Sequence, residues 1–213
     1  MIGAFIDGPL WYFSLTVFLL GVAWRLAGIV RRGVAADLAP ARGDAARGAL
    51  RTIFTRALPR RPVLHGGRVQ MIAGYLFHLG LLVLLLFAQP HVDFYAERIA
   101  GFGWSTLPHW GFILASEIAF AGLILLWIYR VMNPVTRLLS GFGDHVASLL
   151  VFMVMFSGCL ALGQSHEALR LLHLFLAELL LLYFPFSSLM HTFTFVLSRG
   201  YTGAAMARKG VNA

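Results

Sequence analysis

His173 and His191 stand in one apolar segment, LLHLFLAELLLLYFPFSSLMH, and no other residues in the chain are so well placed to do chemistry. The segment is long enough to cross a bilayer, where an imidazole facing lipid is costly without a partner. Eighteen residues separate the two histidines. On one continuous helix that is five turns, so both rings project from nearly the same face, about 27 Å apart. Two neutral imidazoles on one face at opposite membrane depths are what a pair of stacked haems needs from one of its helices. The structural alternative is two polar side chains, each hydrogen-bonded inside a helix bundle.

The elements that must carry these rings follow from composition. Of 213 residues, 59% are hydrophobic and only 12% charged, roughly half the charge of a soluble domain. Five apolar stretches cover about residues 10–30, 69–89, 108–132, 144–163 and 168–197, each near the ~20 residues a helix needs to cross the hydrocarbon core. The expectation is an all-α, five-transmembrane-helix bundle forming one domain over residues 1–213. No domain-sized repeat is visible, and an odd span number argues against a duplicated transporter. The start, MIGAFIDGPLWYF, has no basic n-region and reads as a retained anchor.

Arginine sets the expected orientation. Arg31, Arg32, Arg42, Arg47, Arg51, Arg56, Arg60, Arg61 and Arg68 crowd the loop at about 31–68. Arg130, Arg137, Arg199, Arg208 and Lys209 lie on the same side, against Arg98 and Arg170 on the other. The positive-inside rule puts the N-terminus outside and the C-terminus in the cytoplasm of a bacterial cytoplasmic membrane. The formal charge of +8 is thereby a matter of topology and membrane lipid, not of nucleic acid. Residues 44–58 suit a short amphipathic helix that lies on the membrane surface or docks a cytoplasmic subunit. The single cysteine, Cys159, excludes an internal disulfide and an iron–sulfur cluster on the chain's own thiolates.

This orientation puts His191 toward the cytoplasm and His173 toward the outside. His78, in GYLFHLG, lies about two and a half turns inside the second stretch, a depth matching His191. His173 has several candidate partners: His91 in FAQPHVDF, His109 in LPHWGF, and His166 before the last stretch. His91 shares its stretch with His78, thirteen residues on. That interval, ~20 Å on a helix, does not match the eighteen of the last stretch, so tilt or side-chain reach must close the gap. His91 and His109 also suit the headgroup level, beside Trp104 and Trp110. His145, opening the fourth stretch, can bond a propionate, line a quinone site or cap a helix, and His65 suits solvent.

RLLHLFLAELLLLYFPFSSLMH resembles the final helix of the respiratory nitrate reductase gamma-subunit family, a membrane cytochrome b. The marks are His173, the Phe184-Pro185-Phe186-Ser187 run and His191. GYLFHLGLL resembles that family's second helix, and LPHWGF, NPVTR and the GD opening the fourth stretch resemble its middle. The resemblance covers nearly all of the chain except the basic loop. It implies two b haems between helices two and five, with His78 and His191 on the inner one and His173 on the outer one. The family expects a further histidine about three turns after the first, where Ala88 and Gln89 stand here and the nearest histidine is His91. Either the ligand has moved outward by a turn, or another helix supplies it, or the outer haem is absent.

Glu117 and Glu178 are intramembrane carboxylates, a type that marks proton or quinone paths or bonds a neighbouring helix in its protonated form. With His109 they are the candidate quinone contacts. Arg25, Arg130, Arg137 and Arg170 sit near span ends, where propionates emerge and where snorkelling anchors are common. Pro185 predicts a kink within two turns of His191. The reading is a b-type membrane anchor moving electrons between the quinone pool and a cytoplasmic iron–sulfur or other redox subunit, which would define the substrate. The rival is a non-haem membrane anchor or small transporter whose histidines are structural or proton-conducting.

Overall fold

The computed structural model describes residues 1–33, 39–57, 61–162 and 166–211, with residues 61–66 as backbone only. Every regular element among them is helical, and five helices are long and apolar enough to cross a membrane. These are α1 (Ile2–Arg32), the Gly67–Phe87 part of α3 (Arg61–Phe87), α5 (His109–Met132), α7 (Phe142–Leu162), and the segment Glu167–Phe186 that contains α8 (Glu167–Tyr183). Four further α-helices lie outside the spans among the described residues, α2 (Ala45–Thr55), α4 (Gln89–Tyr95), α6 (Pro134–Leu139) and α9 (His191–Arg208), with a π-helical segment at Ala96–Ala100 after α4. The all-α, five-span expectation holds.

The chain divides into two compact bodies, residues 1–11 with 67–180, and residues 12–66 with 181–213. In the first, α3 crosses α5 on small residues. A Cβ on Gly80 would come within 2.9 Å of Ala115 O and Ala119 Cβ, and one on Gly122 would strike Phe77 N and Ala73 O. Lipid gives helices no hydrophobic reason to associate, so close backbone approach and dispersion hold such a crossing. The N-terminal residues lie against the same body. Gly3 faces Leu171, and Trp11 packs edge-on to Phe94 at 5.1 Å.

In the second body, α1 packs on the FPFSS segment. Gly21 leaves room for Pro185, whose ring a Cβ there would meet at 2.6 Å. Phe18, Phe184 and Phe193 form a triad with centroids 5.3 to 5.9 Å apart. Residues 44–58 hold α2, whose partner is the C-terminal helix α9. Asp44 caps α2, its Oδ1 accepting from Ala46 N (2.8 Å) and Arg47 N (3.3 Å). Gly48 and Thr52 then meet Gly203, which is buried.

Two helices expected to be continuous are broken. The last stretch is α-helical only to Tyr183. A 3-10 turn at Phe184–Phe186, extended Ser187 (φ −113°, ψ 175°) and a second 3-10 turn at Ser188–Met190 then lead into α9. Pro185 does more than kink the helix: it removes a donor, and Ser187 takes up the loose ends. The Ser187 hydroxyl donates to Phe184 O (3.0 Å) and accepts from Leu189 N (3.2 Å). His173 and His191 are thus not on one helix, and the shared-face argument from their spacing fails.

The second stretch breaks at Ala88 (φ −67°, ψ 134°), just ahead of Pro90 in the first turn of α4. An open carbonyl in hydrocarbon costs several kcal/mol, and these are covered. Trp104 Nε1–H donates to Leu86 O at 2.7 Å, and Leu107 N–H to Phe87 O at 2.8 Å. His91 therefore does not share a helix with His78, and the mismatch between the two histidine spacings loses its basis.

Candidate functional site

His173 projects from α8 toward α7. Its Nδ1 lies 3.1 Å from Val154 O and 3.2 Å from Ser157 Oγ, and Ser157 Oγ itself donates to Val154 O. Gly158 makes the space, since a Cβ there would come within 3.0 Å of the ring's Cε1. A carbonyl oxygen only accepts, so Nδ1 carries the ring proton and the lone pair is on Nε2. His91, three residues past the Ala88 break, turns back so that Nδ1–H donates to Leu84 O at 3.0 Å.

The structure brings these two rings together. The His91 and His173 centroids are 6.2 Å apart, with planes inclined by 30°. Metal–imidazole nitrogen bonds run about 2 Å and a ring centre lies roughly 1 Å further, so two imidazoles on opposite sides of one metal have centroids about 6 Å apart. The separation, the tautomers and the carbonyl anchors fit a bis-imidazole metal site, in which backbone acceptors fix ring orientation and raise ligand basicity.

His78 and His191 belong to different bodies, and each is set by the same device. His78 Nδ1–H donates to Gly74 O at 2.7 Å, and His191 Nδ1–H to Ser188 O at 2.8 Å. His191 opens α9 on a cleft of about 560 Å³ shared with Trp24, Arg25, Arg32, Ser187 and Thr194. Arg25 thus lies where an acidic group beside His191 would meet it. His145 is different: Trp127 Nε1–H donates to its Nδ1 at 3.2 Å, which leaves a neutral ring with its proton on Nε2.

The other sequence candidates differ in exposure. His109 begins α5 and is exposed, Glu117 is exposed on the same helix, and His166 is exposed. Glu178 is buried in α8 at 3% exposure, its Oε2 without a partner among the described residues. No group of three His, Cys, Asp or Glu suited to a metal ion gathers among the described residues. The side chain of His65 lies outside them.

Arg170 is committed elsewhere. Its Nη1 and Nη2 reach the Asp7 carboxylate at 3.0 and 2.8 Å, and its Nε and Nη2 reach Glu167 at 2.6 to 3.1 Å. It ties the N-terminal segment to the start of α8 and has little left for another anion. Arg130 stands 3.6 Å from Asp144.

Sequence reasoning missed Val154, Ser157 and Gly158. The available signal was the Ser-Gly pair in an otherwise apolar span, small enough to admit a ring and polar enough to hold it.

No family model matches the chain. It is 28% identical over 216 residues to a protein of Nitratidesulfovibrio vulgaris, an alignment spanning 97% of this chain and 94% of that protein. It is 24% identical over 281 residues to the Hdr-like menaquinol oxidoreductase cytochrome b-like subunit of Archaeoglobus fulgidus, spanning 100% of this chain and 84% of that subunit. All five candidate spans and all eight histidines lie within the second alignment.

Proposed function

We propose that this chain is the haem-bearing membrane subunit of a quinol-linked oxidoreductase, moving electrons between the quinone pool and a cytoplasmic iron–sulfur or other redox subunit. The observation that carries the reading is the His91–His173 pair, 6.2 Å between centroids and each ring held through Nδ1 by a backbone carbonyl. Support also comes from the similarity, along this whole chain, to the Archaeoglobus fulgidus subunit and from that subunit's name. In this reading His91 and His173 hold one b haem, and His78 and His191 serve as further axial ligands. The narrower likeness to nitrate reductase gamma subunits, with the N-terminus outside and the C-terminus cytoplasmic, belongs to the same proposal.

Bound haem supplies one-electron redox chemistry. The protein's part is ligand setting and exclusion of water. Val154 O and Leu84 O fix the tautomers of His173 and His91. Gly158 admits the His173 ring to its carbonyl, and buried Leu84, Ala88, Val92 and Met155 keep this body's interior apolar. Arg25 and Arg32 line the cleft beside His191 and suit propionates, and the buried Glu178 suits the proton exchanged on quinol turnover.

The test is a dithionite-reduced minus oxidised spectrum with haem counted per polypeptide. His91→Ala and His173→Ala should each lose the same haem, and His109→Ala should lose none. A wild-type sample without a b-type band would sink the reading, as would full haem content in both alanine variants.

A further inference from the structure

Helix α2 packs one face on α9 and leaves another bare. A Cβ on Gly203 would fall on Gly48 O and Thr52 Oγ1, and Ile53 lies over Gly200. Arg42 N–H donates to Arg208 O at 2.8 Å. The two helices therefore run antiparallel, with the end of α2 beside Gly200. At 3.6 residues per turn, Ala45, Gly48, Ala49, Thr52 and Ile53 share the packed side. Ala46, Leu50 and Phe54 form an adjoining apolar strip, with Arg47 and Arg51 beyond it. Leu50 is 58% exposed and Phe54 75%.

The pair is also graded along its length. Early in α9, the consecutive residues Phe195, Val196 and Leu197 are all exposed, so that stretch is apolar on several sides, as lipid-embedded helix is. Ser198 and Arg199 end it, the Arg199 guanidinium lying over the Phe195 ring at 5.2 Å. The far end carries Arg42, Arg208 and Lys209. Phe54 follows Ile53, which lies over Gly200, and so is level with the change from apolar to charged. Neither α2 nor α9 contains an acidic residue, and Asp44, which precedes α2, is engaged as its cap.

We propose that α2 is an interfacial helix: Leu50 and Phe54 insert into the acyl boundary of one leaflet, and Arg51, Arg56 and Arg199 bind phosphates of anionic phospholipids there. The occupant is the leaflet itself. A basic strip beside an apolar one is the pattern of in-plane helices, and the charge here complements an anionic surface. The chain leaves one candidate span at Arg32 and enters the next at Gly67, which keeps α2 near the membrane. Leaflet contact depends on the spans and not on haem, so haem loss in the variants above leaves it unaffected.

The experiment uses the full chain with Cys159→Ser and a nitroxide attached through Phe54→Cys, reconstituted into phosphatidylcholine vesicles with or without phosphatidylglycerol. Power saturation compares relaxation by oxygen, which concentrates among acyl chains, with relaxation by a water-soluble nickel chelate. The label at 54 should favour oxygen, a label placed through Arg47→Cys should favour the chelate, and a label through Leu50→Cys should agree with 54. Phosphatidylglycerol should raise the oxygen preference, and Arg51→Gln with Arg199→Gln should remove that rise. Chelate access at both 50 and 54, or shielding of both from each reagent by protein, overturns the insertion. An oxygen preference indifferent to phosphatidylglycerol and to the arginine replacements overturns the anionic-lipid assignment.

Discussion

Gly158→Ala tests whether the His173 ring is set by the space beside α7. The added methyl would lie 3.0 Å from His173 Cε1 and 3.2 Å from Nδ1, whereas carbon contacts settle near 3.5–4.0 Å. The ring must retreat by roughly half an ångström, which stretches the 3.1 Å bond to Val154 O past a useful length. Overpacking of this size costs about 1–3 kcal/mol, and a lost hydrogen bond about 1 kcal/mol. Loss of an outer-shell partner lowers metal affinity about 10–100-fold, or about 1.4–2.8 kcal/mol. The estimates meet near 2 kcal/mol.

The assay is haem transfer to excess apomyoglobin. The haem assigned to His91 and His173 should leave about 10–100-fold more readily, with any other haem retained. Gly8→Ala is the control, because nothing lies within 4 Å of a Cβ there. Unchanged transfer in Gly158→Ala would refute the reasoning. Equal loss of all haem would trace the effect to global packing instead.

Three further outcomes follow from the same geometry. Trp104→Phe removes the donor to Leu86 O and should lower stability by about 1–3 kcal/mol, read as a lower melting temperature in detergent; no change would mean that another group covers that carbonyl. Gly203→Val places a side chain on Gly48 O and Thr52 and should weaken the α2–α9 contact by about 1–3 kcal/mol, seen as faster tryptic cutting at Arg47 and Arg51. A double-mutant cycle of Asp7→Asn and Arg170→Gln should give a coupling below about 1 kcal/mol that falls with salt, because these side chains are 38% and 45% exposed; a larger, salt-insensitive value would contradict this.

What was legible in the sequence and what was not divide along a physical line. Spans are long-range averages of side-chain polarity, and all five emerged with ends within a few residues, apart from the first, which starts at Ile2, and the last, which stops at Phe186. Ring positions depend on backbone direction, which averages do not contain. His78 anchors on Gly74 O within its own helix, a relation periodicity can express. His91 and His191 lie just past the extended residues Ala88 and Ser187, so counting from His78 or His173 gave the wrong azimuth and depth. Pro90 and the Pro185-Phe186-Ser187 run were the visible cues; Pro185 was read only as a kink, and Pro90 was passed over. Residues 44–58 were read as amphipathic from their charges; that Gly48 marked a close approach to Gly203 required the distant partner.

The breaks also explain why a histidine moved to the family's expected position should not work. On an unbroken helix, residue 88 follows His78 by ten residues and its side chain projects from a predictable face. Here Ala88 is extended and only 5% exposed, so an imidazole there overpacks the body at a cost of about 1–3 kcal/mol. His91 reaches His173 because the chain turns at 88, and the turn brings its Nδ1–H to Leu84 O, which also accepts from Ala88 N at 3.1 Å. Turn, shared carbonyl and ring setting are one local event. Ala88→His combined with His91→Ala should therefore show no haem at the His173 site, with the protein still folded by circular dichroism and other haem unchanged. Wild-type haem content in that swap would mean that depth alone, and not the break, decides which residue faces His173.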